Sequence, residues 1–220
     1  MEPVHRTVLA DEATALLRNE ILMGRLEAGA KLAETELAQS LQVSRAPVRE
    51  ALMRLQQQGL VTSERYRGTA VAELTESDVE ELVTLRSVLE PLAWSRAAAV
   101  ATDDDLAALD DIVDRMRKSV VSDEHAGLVL LDVEFHDRVF QAAAHGRLYA
   151  AWSAISYQVA LYLLRRRIVT DDYHRIIVDE HQELVNVLRA RDRSAAMAAI
   201  ATHITQAYDR LTQNESSARA

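Results

Sequence analysis

At 220 residues, with 49% hydrophobic and 27% charged side chains, the chain is long enough to bury one or two cores, and a formal charge of −9 excludes a protein that is basic throughout. It has no cysteine, which excludes disulfides and thiolate metal sites and fits a reducing, cytoplasmic setting. No apolar run approaches the roughly 20 residues that span a bilayer, and "MEPVHRTVLADEATALL" lacks the basic-then-apolar order of a secretory signal, so no membrane partner is expected.

Three prolines and six glycines leave few places to turn, and a mainly α fold is expected. Ala13, Leu16, Leu17 and Ile21 recur at helical spacing and predict a first helix over about 8–23, closed by Gly24. After the turn "EAGAKL" a short helix is expected over 34–41. Ser44 then suits an N-cap for a third helix over 45–58, with Pro47 tolerated in its first turn and Gly59 ending it. The break "QVS" makes this pair a helix-turn-helix. "LVTS" and "TAVAEL" read as two short strands around "ERYRG", a β-hairpin wing.

Charge singles this segment out. From Ser44 to Arg67 there are five arginines against two acids, whereas residues 75–220 carry 16 basic and 24 acidic side chains. Arg45 and Arg49 lie one turn apart near the start of the third helix, where free backbone N–H groups also favour anions. Such a helix end suits a DNA major groove, and Arg65 and Arg67 on the wing can reach the adjacent backbone or minor groove. A charge run is more often a solvated face with i,i+4 partners. The coincidence of turn spacing, wing and local charge reversal favours double-stranded DNA.

The run "GAKLAETELAQSLQVSRAPVREALMRLQQQGLV" resembles the winged helix-turn-helix of GntR-family bacterial transcription regulators, in the FadR-type branch. That resemblance implies DNA contacts at Ser44, Arg45 and Arg49, with Gly68 at the wing. Two positions depart from the commoner pattern: Ala46 replaces a threonine that can touch DNA, and Ala33 replaces a capping serine.

Downstream, "TESD" is a capping box for a long helix from about 76, with a bend expected at Pro91. Further helices are expected at 103–120, 123–144, 147–169, 172–190 and 194–213, six in all. The domains are therefore expected at 1–74 and 75–214, with a disordered tail over 215–220.

Polar groups interrupt the apolar stripes of these helices. Leu128, Asp132, Phe135, His136 and Val139 share one face; Ile177, His181, Leu184 and Leu188 form a second stripe, and Ile200, His203, Ala207 and Leu211 a third. A single histidine on such a face is more often a hydrogen-bonded core residue. One carboxylate and three imidazoles converging from facing helices instead make a site for a divalent transition metal such as zinc, nickel or manganese. "LDVEFHDRVF" and "DEHQELVNVLRARDRSAAMAAIATHI" resemble the FCD effector-binding domain of the same branch, in which many members hold a divalent metal through residues placed like Asp132, His136, His181 and His203. Six helices match its shorter, VanR-like form.

Arg86, on the stripe Val79, Leu82, Arg86 and Leu89, either offers a forked donor to an effector carboxylate or pairs with Glu90 at i,i+4. "RRR" at 165–167 is read as a solvated helix end, and His5, His125, His145 and His174 are given no role. Together these features predict a homodimeric regulator, read as a repressor, that binds a palindrome-like operator and senses a small carboxylate at the metal. The alternative is a metal-dependent hydrolytic enzyme using the Asp/His cluster. No HExxH, activated nucleophile or nucleotide loop accompanies it.

Overall fold

The computed structural model describes residues 4–64, 68–121, 125–165 and 171–218. Arg65, Arg67, Arg166 and Arg167 therefore lie outside the described residues. The chain divides into two compact units, Met1–Thr75 and Glu76–Ala220.

In the first unit α1 (Val4–Leu22) packs on α3 (Arg45–Gln57), and α2 (Glu34–Ser40) stands against α3 across the turn. Ala10, Ala13, Leu17 and Ile21 of α1 and Val48, Ala51, Leu52 and Leu55 of α3 are buried. Leu16, expected on the same stripe, is 52% exposed, because it lies about 100° around the helix from Leu17. Strands β1 (Val61–Glu64) and β2 (Gly68–Val71) pair antiparallel in the register Val61↔Val71 to Glu64↔Gly68, and Val61 and Val71 point into the core. Residues 29–32 add backbone bonds to the outer edge of β2: Gly29 N–H to Val71 O, Val71 N–H to Ala30 O and Leu32 N–H to Thr69 O. The wing is thus anchored to the loop before α2.

Two helix ends in this unit use the same device. After α3, Gly59 has φ +68°, its N–H bonds to Gln56 O, and the Leu60 N–H reaches back to Leu55 O. After α2, Gln42 takes φ +55° with Gln42 N–H to Gln39 O and Val43 N–H to Ala38 O. Both are Schellman ends, which satisfy the last helical carbonyls. The second one is the turn of the helix-turn-helix and uses a residue with a Cβ. At the other end of α3, Ser44 occupies the N-cap with φ −72° and ψ 164°, but its side chain makes no capping hydrogen bond. Ala33 caps α2 with no side-chain bond either.

The second unit holds seven helices among the described residues rather than six. They are α4 (Glu76–Val100), α5 (Asp103–Val121), α6 (His125–Ala142), α7 (Gly146–Ser153), α8 (Ser156–Arg165), α9 (Asp171–Arg189) and α10 (Arg193–Ala218). The single helix expected over 147–169 breaks at Ala154 and Ile155, where the Ile155 N–H bonds to Trp152 O and the Gln158 N–H to Ile155 O. Such i→i−3 bonds tighten a turn and redirect the chain. No glycine or proline marks the break, so helix number carries no assignment to a VanR-like form. The final helix continues to Ala218, past the start of the tail expected to be disordered. Pro91 lies inside α4, which is helical on both sides of it.

Packing in this unit brings α4 along α10, and α5 along both α6 and α9. Trp94, Phe135, Phe140, Trp152, Leu128, Leu188 and Ile200 fill the interior. His145, given no role from sequence, caps α7: its Nδ1 accepts from the Leu148 N–H at 3.3 Å.

The paired Schellman ends make opposite predictions. Gly59→Ala should cost about 1 kcal/mol, since a Cβ in the left-handed region is strained by roughly 1–2 kcal/mol while the stiffer unfolded chain returns about half of that. Gln42→Gly should stabilise by a smaller amount for the converse reason. Urea melts of the two variants should move in opposite directions, and a shift of the same sign would contradict this account of the turn.

Candidate metal centre and DNA-facing surface

In the first unit, Arg45 and Arg49 project from α3 with side chains 60% exposed. Neither pairs along its own helix. Both reach Glu34, the first residue of α2: Arg49 donates Nε to Oε1 and Nη2 to Oε2, each at 3.0 Å, and Arg45 donates Nη2 to Oε2 at 3.3 Å. The Arg49 and Arg45 guanidinium groups hold the Glu34 carboxyl below its ordinary range, with Arg49 contributing most. Glu34 was not singled out by sequence, because its partners lie 11 and 15 residues along the chain. Ser44 is exposed at the head of α3. Gly68 opens β2 with φ +86°, a conformation that L side chains rarely adopt, and a Cβ there would meet nothing within 4 Å. Its glycine is required by backbone geometry rather than by space.

In the second unit, helices α6, α9 and α10 bring Asp132, His136, His181 and His203 together. All four are buried, and one potential ligand atom from each lies within 4.8 Å of the others. Bonds of about 2.0–2.2 Å from nitrogen and oxygen to a first-row metal put opposite ligands roughly 4.2 Å apart, so small side-chain movements would close the set on an ion.

The hydrogen bonds decide which ring nitrogens face inward. His181 Nδ1 lies 2.7 Å from the Ile177 carbonyl, which can only accept, so the ring proton sits on Nδ1. Its Nε2 is buried, 3.1 Å from Asp132 Oδ1 and without a hydrogen bond. His203 Nδ1 donates to Glu180 Oε2 at 3.1 Å. Burial holds the His203 imidazole at about 4, so it is neutral near pH 7 and its Nε2 is also free. His136 Nδ1 stands 2.6 Å from Glu90 Oε2, outside good hydrogen-bond geometry, and its Nε2 has no partner. Carboxylates and carbonyls placed behind imidazoles in this way orient metal ligands.

Charges around the cluster do not cancel. Glu90, fully buried, is matched by Arg86, whose Nε donates to Glu90 Oε1 at 2.5 Å. Although burial alone would push the Glu90 carboxyl up, Arg86 and His136 hold it at about 2. Glu180 is matched by Arg210 through two bonds at 2.7 and 2.9 Å. Against burial, which alone would raise it, the Asp132 carboxyl is held low by the adjacent His181, 3.1 Å away, and by His136 and Arg86. Three imidazole nitrogens and one buried carboxylate make a donor set that fits a divalent cation.

Of the two readings of Arg86, the ion pair with Glu90 is the one present, and its guanidinium also lies 6.0 Å from the Trp152 ring centre. The supporting residues Glu90, Glu180 and Arg210 were not proposed from sequence as site residues. Glu90 stood one turn beyond Arg86 on a buried stripe and was legible as its partner. Glu180 meets His203 only because α9 packs on α10.

Residues 9–71 match the family described as bacterial regulatory proteins, gntR family, and residues 81–206 match the FCD domain. A Paenarthrobacter nicotinovorans protein named "Probable D-xylose utilization operon transcriptional repressor" is 31% identical over 201 residues, covering 90% of this chain and 87% of that protein. The gluconate operon transcriptional repressor of Bacillus subtilis is 26% identical over 200 residues, covering 89% and 82%. Among solved structures, E. coli McbR/YncC superposes with a TM-score of 0.82 over 94% of this chain and 98% of that one; at 21% identity this is a likeness of fold.

Acid should weaken the metal-free protein in two stages. Above pH 6.5 His203 is unprotonated in both folded and unfolded chains; as pH falls from 6.5 toward 4 the unfolded chain takes the proton first, and stability drops by up to about 1.4 kcal/mol per pH unit. Below 4.5, protonation of Glu90 and Asp132, both depressed in the fold, extends the loss. Urea melts across this range should show His203→Gln lacking the upper stage. An unchanged slope between pH 6.5 and 4 would contradict the buried neutral imidazole.

Proposed function

Because this chain belongs to the GntR family of bacterial transcription regulators and carries its FCD domain, we propose that it is a repressor whose operator binding is set by a small carboxylate held at a divalent metal. The family places it among DNA-binding regulators and not among enzymes, so the hydrolase alternative is set aside. The single observation that carries the metal reading is the buried Asp132 carboxylate grouped with His136 and His181 ring nitrogens that have no hydrogen-bond partner.

Under this proposal residues 1–74 bind DNA and 75–214 sense the effector. Arg45 and Arg49, with Ser44 beside them, meet the major groove; Gly68 shapes the wing, and Arg65 and Arg67 are assigned to the adjacent backbone or minor groove. A homodimer presents two α3 helices to a palindrome-like site with half-sites about one helical turn apart. Asp132, His136, His181 and His203 hold zinc, nickel or manganese, which supplies a Lewis-acidic point for ligand oxygens. Asp132 and the cation together leave about one positive charge in an apolar interior, and an anion offsets it. Arg86 sits close by as a second anchor, and an incoming carboxylate would compete with Glu90 for its N–H groups. The gluconate operon repressor of Bacillus subtilis is named for the operon of a hydroxy acid, the chemical class this site suits. Four residues, 72–75, separate β2 from α4, the helix that carries both Arg86 and Glu90, so a shift of α4 is a short route to the DNA-binding unit. A ligand that prefers the DNA-incompetent dimer a hundredfold would move the balance by about 2.7 kcal/mol.

Three measurements test this. Arg45→Ala and Arg49→Ala should each cost roughly 1–3 kcal/mol of operator binding while the helical unit stays folded. Operator affinity unchanged in the double variant would refute the DNA assignment. Protein purified without chelator should contain a metal, and zinc, nickel or manganese should raise its melting temperature in wild type but much less in His181→Ala. Calorimetry with hydroxy-, keto- and dicarboxylic acids should give hits that weaken in both Arg86→Ala and His181→Ala; equal binding to all three proteins would sink the carboxylate-on-metal mechanism.

A further inference from the structure

The first turn of α2 sets against the basic residues of α3 one carboxylate, Glu34, that the DNA-binding reading does not explain. Glu34 accepts all three hydrogen bonds described from Arg45 and Arg49, and its own side chain is 27% exposed. A negative charge there repels the phosphates that the arginines attract. Its position in the first turn of α2 is favourable to the helix dipole, yet Glu36 occupies the same turn. Dipole stabilisation therefore does not account for the contact to α3.

The geometry treats the two arginines differently. Arg49 has committed its Nε and Nη2 edge to the two oxygens of Glu34, which fixes the plane of its guanidinium and leaves Nη1 with the second Nη2 hydrogen as a two-donor edge pointing away from Glu34. Arg45 gives Glu34 one longer contact through Nη2 and keeps its Nε and Nη1 groups. A guanine needs two parallel donors, whereas a phosphate accepts a single one. Resting on the assignment of these arginines to DNA, we propose that Glu34 is a positioning and specificity-determining residue of the interface. It fixes the direction in which Arg49 offers its remaining two-donor edge and restrains Arg45 through one contact, so that both arginines meet the groove in a set orientation. It also cancels one of two adjacent charges, which keeps attraction to arbitrary sequence low.

The test uses the full-length protein with two probes: a duplex enriched by wild type from a randomised pool, and the same duplex scrambled. Both are titrated against wild type, Glu34→Gln, Glu36→Gln, Arg45→Ala and Arg49→Ala over a range of salt. Glu34→Gln should bind the scrambled duplex about threefold tighter or more, with a salt slope steeper by about one ion, and should lose roughly tenfold in preference for the enriched duplex. Glu36→Gln should change neither. Arg45→Ala and Arg49→Ala should each weaken the enriched duplex, as expected of the two groups that Glu34 orients. The proposal is overturned if Glu34→Gln keeps the wild-type preference within twofold, if Glu36→Gln reproduces the loss, or if Glu34→Gln weakens both probes in parallel with a lowered melting temperature. If removing both arginines leaves binding of the enriched duplex unchanged, the DNA assignment itself fails and the role of Glu34 falls with it; a loss there beside an unchanged Glu34→Gln preference removes the Glu34 role alone.

Discussion

A carboxylate without a countercharge, enclosed by three imidazoles, is the constraint around which the C-terminal helices are arranged. Asp132 is 5% exposed and faces His181 Nε2 across 3.1 Å without a hydrogen bond. Isolated buried charge is expensive, and proteins tolerate it where a cation or a hydrogen-bond network meets it. The surrounding pairs sharpen this: Arg86 is matched to Glu90 and Arg210 to Glu180, so the neighbouring charges are already used. Those same acids stand behind His136 and His203. The Glu180 bond to His203 Nδ1 turns Nε2 of that ring toward the cluster, and Glu90 stands 2.6 Å behind His136 Nδ1.

A second balance governs the N-terminal unit. There the charges are exposed, and Glu34 with its two arginines forms a small network on a rigid frame. The frame comes from α1 packing on α3 and from two Schellman ends, which fix where α3 begins relative to α2 and where the chain leaves for the wing. The loop at 29–32 then ties the wing to the segment that precedes Glu34. A displacement of that loop would move the wing and the Glu34 clamp together.

Helix α4 gives the site in the second unit a handle. It follows β2 after four residues, carries Arg86 and Glu90 on its buried face, and packs along α10, which supplies His203. Glu90 on this helix is the residue that both Arg86 and His136 approach, at 2.5 and 2.6 Å. That arrangement agrees with the place of this chain among FCD-bearing regulators, whose named relatives control operons.

Sequence alone determined those elements whose physics is local. Periodicity located the helices of the first unit to within a few residues, and alternation bounded by glycine located the wing. Asp132, His136, His181 and His203 were legible because each interrupts an apolar stripe, and a polar residue on a buried face asks for a partner. Tertiary structure decided what depends on contacts between helices distant in sequence. Leu16 turned outward, since α3 covers a narrower strip of α1 than the run of apolar residues suggested. The helix over 147–169 broke at Ala154, where no residue carries a breaking signal. Arg86 chose Glu90, and Glu34 chose Arg45 and Arg49, because a salt bridge is selected by which charges the fold leaves within reach. Hydrogen-bond direction came last: which imidazole nitrogen faces the cluster is set by the Ile177 carbonyl and the Glu180 carboxylate, and neither position is encoded in the spacing of the histidines.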